Sequence, residues 1–116
     1  MFFPFHTRIY VAVGGTDMRK SINGLSILVA DRLKMDPLSG HLFVFGNRRR
    51  NMVKVLYWDR NGFCLWHKRL EKQYFKWPKA AADVYEIDHR QLGWILEGLD
   101  IHRVQGHQSL RYTTVY

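Results

Sequence analysis

Residues 41–70 read HLFVFGNRRRNMVKVLYWDRNGFCLWHKRL, in which three apolar runs are separated by two polar turns. Strands are predicted over 41–45, 53–58 and 63–70, because β-branched and aromatic residues dominate each run. The pair Asn61-Gly62 readily adopts positive φ, so it predicts a tight hairpin between the second and third strands. The longer turn at 46–51 is basic and is expected at the opposite end of this antiparallel sheet.

Further elements are predicted on both sides of this stretch. The short run 9–13 predicts a buried strand that ends at Gly14-Gly15, and apolar residues at three- and four-residue steps predict a helix over 17–34. Thr16 or Asp17 is suited to cap that helix. Asp88 and Gln91 have the spacing of a capping box and predict a second helix that ends near Gly98. Residues 75–78 are compatible with an edge strand, and residues 80–86 with a connection.

The predicted fold class is therefore α+β, a mainly antiparallel sheet of four to five strands with two helices packed on one face. A chain of 116 residues with 47% hydrophobic residues corresponds to one globular domain, residues 1–116. Residues 100–116 have no periodicity, which leaves open an edge strand or a loosely packed tail.

Positive charge is concentrated in one segment of the chain. Residues 48–79 hold ten lysines and arginines against Asp59 and Glu71, which equals the net charge of +8 of the whole chain. A field of one sign gathered on one segment attracts a polyanion by steering and counterion release. Nucleic acid is therefore the predicted partner.

The predicted nucleic-acid contacts are basic or amide side chains that can bind phosphate oxygens. They lie in the 46–51 turn and on or near the strands that follow, and they are Arg48, Arg49, Arg50, Asn51, Lys54, Lys68, Arg69, Lys72 and Lys76. All three arginines of the turn are expected to stand in solvent. The alternative is a solvated turn that protects a sheet edge from aggregation. Among the interleaved aromatic residues, Tyr74 and Trp77 are the favoured candidates for stacking on an unpaired base, although packing is the more common role.

The residues do not predict catalysis, a cofactor or a metal site. Cys64 is the single cysteine, and the six histidines match no metal-ligand pattern. Asp17, Asp36 and Asp59 are the residues that a magnesium nuclease would need, but each has a ready structural role. The apolar opening of the chain lacks the features of a secretion signal, and no run reaches the length of a membrane span. A cytoplasmic protein is therefore expected.

Several segments of the chain resemble a known family, the TnpB-type accessory protein of the insertion-sequence family numbered sixty-six. This family is distinct from the RNA-guided nuclease that has the same label. The matching segments run nearly from end to end and are 14–20 (GGTDMRK), 24–25 (GL), 36–45 (DPLSGHLFVF), 47–49 (NRR), 54–59 (KVLYWD), 61–62 (NG), 68–71 (KRLE), Phe75 with 77–78 (WP), and 96–98 (LEG).

The resemblance implies a non-catalytic accessory protein for DNA transposition in a bacterial cytoplasm. Such proteins are encoded beside a separate, larger transposase that carries the acidic catalytic residues. The implied partners are DNA, in particular the ends of the mobile element, and that transposase. The alternative is an adaptor whose basic segment docks on an acidic surface of the transposase without touching DNA.

Overall fold

A computed structural model describes residues 7–103, in which strands and helices alternate along the chain. The elements are β1 (Ile9–Gly15), α1 (Ile22–Asp31), β2 (Leu42–Gly46), β3 (Met52–Asp59), β4 (Gly62–Arg69), β5 (Val84–Ile87) and α2 (His89–Leu96). Residues 101–103 are also helical. The predicted edge strand or loose tail falls mostly on residues 104–116, which lie outside the described residues.

The five strands form one sheet in the order β4-β3-β2-β1-β5. The pairs β4–β3, β3–β2 and β1–β5 are antiparallel, whereas β1 and β2 are parallel. A parallel pair needs a crossover connection, and α1 supplies it between β1 and β2. The α+β class and the mainly antiparallel sheet are confirmed.

Both faces of the sheet are buried, each beneath its own helix. In β2, Leu42 and Val44 belong to the core that contains Leu92 and Ile95 of α2. Phe43 and Phe45 point the other way, into the core that contains α1. The prediction of two helices on one face is therefore wrong. A strand that is apolar at every position needs a cover on both sides, and the continuous run in β2 carried that signal.

The first helix is shorter than predicted at both ends. It begins at Ile22 rather than residue 17, with Ser21 at its N-cap. The predicted cap Asp17 instead closes a local turn, in which its carboxylate accepts the backbone N–H of Arg19 at 2.9 Å. Aspartate side chains bond readily to the backbone two residues on, and here this contact takes the place of a cap. After the helix ends at Asp31, Lys34 has a φ of 57°.

Residues 75–87 differ from the prediction in two ways. The segment 80–86, expected as a connection, overlaps β5, a four-residue strand that ends at Ile87 and pairs with β1. So short a strand at an edge carries too little alternation to be read from the sequence. Residues 75–78 do not form the predicted edge strand, and Phe75 and Trp77 instead pack into the core beside α2.

The second helix and the hairpin agree with the sequence. Asp88 Oδ1 accepts the N–H of Gln91 at 2.8 Å, and Gln91 Oε1 accepts the N–H of Asp88 at 2.9 Å, so the capping box is confirmed. The predicted hairpin joins β3 and β4, and its register pairs Asp59 with Gly62. Its two turn residues are Arg60 and Asn61, one position earlier than expected, and Arg60 has a φ of 52°. No helix in residues 7–103 is long and apolar enough to cross a membrane.

We predict that Gly46→Ala destabilises the fold through the Trp77 ring. A Cβ at position 46 would lie 2.8 Å from the ring, and it could be accommodated only if the buried indole moved. Overpacking of this kind costs about 1–3 kcal/mol of the free energy of unfolding. Gly62→Ala is the matched control, because a Cβ there meets nothing within 4 Å. Chemical denaturation of both variants measures the difference, and equal stabilities would contradict this packing.

Candidate nucleic-acid interface

The basic turn lies where the parallel strands β1 and β2 both end. Asn47 braces it from inside, since its Oδ1 accepts the backbone N–H groups of Asn51 and Met52, each at 3.0 Å. Its Nδ2 also donates to Asn51 Oδ1 at 2.7 Å. Asparagine side chains commonly stabilise turns in this way. Asn51, a predicted phosphate contact, thus has a bracing partner within the turn.

Arg48 and Arg49 form the exposed tip of this turn. The backbone of Arg48 packs closely on Gly15, where an added Cβ would lie 3.2 Å from the Arg48 Cα. Within residues 7–103, neither arginine side chain has a hydrogen bond or an ion pair. Each guanidinium therefore keeps its five N–H donors for an outside partner.

Arg50 behaves differently from its two neighbours. Its backbone has a φ of 61°, and its side chain folds back onto the protein. The guanidinium donates to the carbonyl oxygen of Val13 at 3.1 Å and to that of Asn47 at 3.3 Å. It also lies 5.2 Å from the ring centre of Trp77, and burial lowers the pKa of Arg50. The expectation that all three arginines stand in solvent is therefore wrong for Arg50, because its charge has partners inside the fold.

The segment after β4 brings further cations to the same end of the sheet. Its backbone is tied to the turn at two points, Leu70 N–H to the Asn51 carbonyl at 2.8 Å and Phe75 N–H to the Arg50 carbonyl at 2.6 Å. The lysines of this segment are exposed, and their side chains have no hydrogen bond or ion pair among the described residues. We define the basic end as the exposed side chains of Arg48, Arg49, Lys72, Lys76 and Lys79.

Two other predicted contacts, Lys54 and Lys68, bond to backbone carbonyls before the start of α1 and at the end of α2. They lie on opposite faces of the sheet, because Val53 pairs with Lys68 and the side chain of Lys54 points to the other side. Lys54 Nζ donates to the carbonyls of Met18 and Lys20 at 2.9 and 2.8 Å. Lys68 Nζ donates to the carbonyl of Leu96 at 3.0 Å, at the C-terminal end of α2 where a cation is favourable.

Four of the nine predicted residues therefore belong to the basic end, namely Arg48, Arg49, Lys72 and Lys76. Arg69 lies near it but pairs with Glu71 at 3.0 Å. Lys79 belongs to the basic end although the sequence reasoning did not select it. The sequence signal for Lys79 was its position directly after Trp77-Pro78. A buried aromatic residue fixes the backbone, and with it the place of the exposed basic residue that follows.

The two aromatic candidates for stacking have separate environments. Trp77 is only 9% exposed, and its Nε1 donates to the carbonyl of Ala12 at 2.9 Å. It packs in the core, and so little of its ring is accessible that a base cannot stack on it. Tyr74 is 55% exposed in the segment tied to the basic turn.

The three aspartates of the nuclease alternative do not converge. Asp17 follows the carboxyl end of β1, whereas Asp59 ends β3 at the opposite end of the sheet. The Arg19 side chain holds the pKa of Asp17 at about 2. Asp36 accepts the N–H of Leu38 at 2.9 Å. Among residues 7–103, no group of three histidine, cysteine or acidic residues is placed to hold a metal ion.

Comparison with known proteins assigns the chain to one family. The family described as IS66 Orf2 like protein matches residues 7–106. The uncharacterized protein y4hO of Sinorhizobium fredii is 40% identical over 95 residues, which cover 82% of this chain and 83% of the relative. The uncharacterized protein y4jC of the same organism is 34% identical over 108 residues, or 93% and 92% of the two chains. No solved structure matches the chain.

We predict that the arginines of the turn contribute unequally to stability. Arg50→Ala removes two hydrogen bonds and the contact with the Trp77 ring, and it should lower the free energy of unfolding by about 1–3 kcal/mol. Arg48→Ala and Arg49→Ala are controls and should each stay within about 0.5 kcal/mol of the parent, as is usual for exposed sites. Thermal and chemical unfolding would test this order. Equal losses of stability at all three positions would show that the side chains of Arg48 and Arg49 also make stabilising contacts within the protein.

Proposed function

Because the chain belongs to the family of IS66 Orf2 like proteins, we propose that it is a non-catalytic accessory protein that positions DNA through its basic end. The family is associated with transposition, which makes the ends of a mobile element the proposed DNA. The observation that carries the proposal is the exposure, at one end of the sheet, of five cations whose side chains have no partner among residues 7–103. A separate transposase in the bacterial cytoplasm would perform the cutting and joining.

The chemistry of the basic end suits a phosphate backbone. Two adjacent guanidinium groups can each bind phosphate oxygens in pairs, and three lysines add mobile point charges. Such contacts set the position and orientation of a protein on DNA without reading its sequence. The rigid support is the braced turn, in which Asn47 holds the backbone beneath Arg48 and Arg49.

The opposite end of the sheet makes a useful contrast. There Arg8 lies 3.8 Å from Glu86, and Arg60 lies 3.9 Å from Asp59. Each of these cations lies beside a carboxylate, so the pair adds less to the field at a distance than an unpaired cation would. The charge asymmetry between the two ends supports DNA binding at the basic end.

We predict a strong dependence of DNA affinity on salt. If the five cations of the basic end each displace one counterion, a plot of log affinity against log salt should have a slope of about −4.5. Replacing Arg48 and Arg49 together by alanine should reduce the slope to about −3 and weaken binding to all duplexes alike. Fluorescence anisotropy from roughly 50 to 200 mM salt would measure both quantities.

The matched control removes the same charge from the other end. In Arg8→Ala/Arg60→Ala, the net charge falls by two as well, but both lost cations were beside carboxylates. This variant should keep the parent slope. If both double variants weaken binding equally, net charge rather than the basic end governs the interaction, and the proposed interface is wrong.

The adaptor alternative makes an opposite prediction for the same assay. If the basic end docks only on an acidic surface of the transposase, the isolated protein should not bind element-end DNA even at ~50 mM salt. DNA would then be retained only when the transposase is added. Direct binding by the isolated protein, with the salt slope given above, would exclude this alternative.

A further inference from the structure

An open groove of about 480 Å³ lies beside the basic end. Its apolar lining comes from Val13, Phe75, Trp77, Pro78 and Ala80. Its charged lining comes from Arg50, Lys76, Lys79 and Asp100. This volume falls in the range of small-molecule sites, which combine apolar walls with a few placed polar groups. Of the lining residues, Lys76 and Lys79 also belong to the basic end, whereas the others have no part in the backbone contacts proposed above.

Arg50 gives the groove a fixed cation. Its guanidinium is held by the Val13 and Asn47 carbonyls and by the ring of Trp77, so its position is set before any ligand arrives. Two carbonyls occupy only part of its five N–H donors, which leaves donors for an anion. A planar guanidinium also presents a flat surface on which a base can stack.

We propose that this groove binds one unpaired nucleotide of a DNA strand whose neighbouring phosphates lie on the basic end. The inference rests on the proposed function and extends it from duplex backbone contacts to a frayed or single-stranded terminus. The phosphate would lie between Arg50 and the lysines at positions 76 and 79. The base would lie against Val13 and Ala80, which are the accessible residues of the apolar lining, and on the face of the guanidinium.

Charge favours a nucleotide over an acidic peptide in this groove. Asp100 lines the same groove as the cations, and its carboxylate, which accepts the N–H of His102 at 3.0 Å, repels an acidic side chain. A nucleotide has an anionic phosphate at one end and, on most bases, an amino group at the other. Carboxylates accept hydrogen bonds from such amino groups, so the cations and Asp100 can both be satisfied by one ligand.

The proposed nucleotide is unpaired because a duplex does not expose the faces of its bases. Within a duplex the faces of the bases are stacked, and a protein reaches them only after it takes the base out of the stack. A single-stranded overhang offers both a phosphate and a free base face at no such cost. The groove should therefore add affinity for an overhang and none for a blunt duplex.

The test compares three fluorescent DNAs of one duplex sequence, namely blunt, with a three-nucleotide 3′ overhang and with a three-nucleotide 5′ overhang. Stacking of one base should increase the affinity for at least one overhang by about fivefold or more over the blunt duplex. Ala80→Trp should fill the groove and remove this preference, while blunt-duplex affinity stays unchanged. Ala82→Trp is the matched control, since Ala82 is exposed nearby but does not line the groove.

A second pair of variants tests the groove by charge rather than by bulk. Ala80→Glu adds a carboxylate to the groove and should also remove the preference, whereas Ala82→Glu should not. Thermal unfolding of all four variants establishes that each is folded. Loss of the preference in the position 82 variants as well would overturn the assignment to this groove.

The outcomes separate this inference from the proposed function. Equal affinity for all three DNAs, with the salt slope and the effect of Arg48→Ala/Arg49→Ala intact, overturns the groove and leaves backbone binding standing. An overhang preference that Ala80→Trp removes, found together with a blunt-duplex affinity and a salt slope that Arg48→Ala/Arg49→Ala leave unchanged, supports the groove and overturns the basic end. Absence of all DNA binding overturns both. Displacement of the overhang by hexaglutamate as readily as by a trinucleotide would show that charge alone fills the groove.

Discussion

Burial of β2 on both of its faces is the constraint on which the rest of the molecule depends. Leu42, Phe43, Val44 and Phe45 are all fully or almost fully buried, so each side of the sheet needs its own cover. The two helices supply it, one on each face. With both faces covered, the ends of the sheet are where loops can present polar groups. This is why the basic turn that follows β2 can serve as a contact surface.

The packing around Gly46 links that core to the candidate interface. The Trp77 ring fits against Gly46, its Nε1 bonds to the Ala12 carbonyl, and the Arg50 guanidinium covers the ring. One buried indole thus joins β1, β2 and the segment that carries Lys76 and Lys79. The exposed cations are therefore held relative to one another by core packing. Pre-organisation of this kind reduces the entropy that ordering the contacts would cost on binding.

The exposed basic surface is smaller than the number of basic residues in the sequence suggests. Ten bases lie between residues 48 and 79, but Lys54 and Lys68 bond to backbone carbonyls of the segments they support. Arg50 is likewise held by internal carbonyls, and Arg69 by Glu71. Lysine and arginine have long apolar stems that cross a sheet surface to reach such acceptors. In this protein, some of the charge that suggests DNA binding also holds the fold together.

Local sequence patterns alone predicted the three middle strands, their hairpin, the Asp88 capping box and the location of the basic turn. Each of these rests on alternation, turn residues or caps within a few neighbouring positions, where sequence and structure are directly coupled. Only the tertiary structure placed the helices on opposite faces, recruited β5 to the edge of β1, turned Arg50 inward and brought Lys79 and Arg50 to the lining of one groove. Those features depend on contacts between residues up to tens of positions apart, such as Arg50 with Val13 and Trp77 with Ala12, whose partners no local pattern specifies.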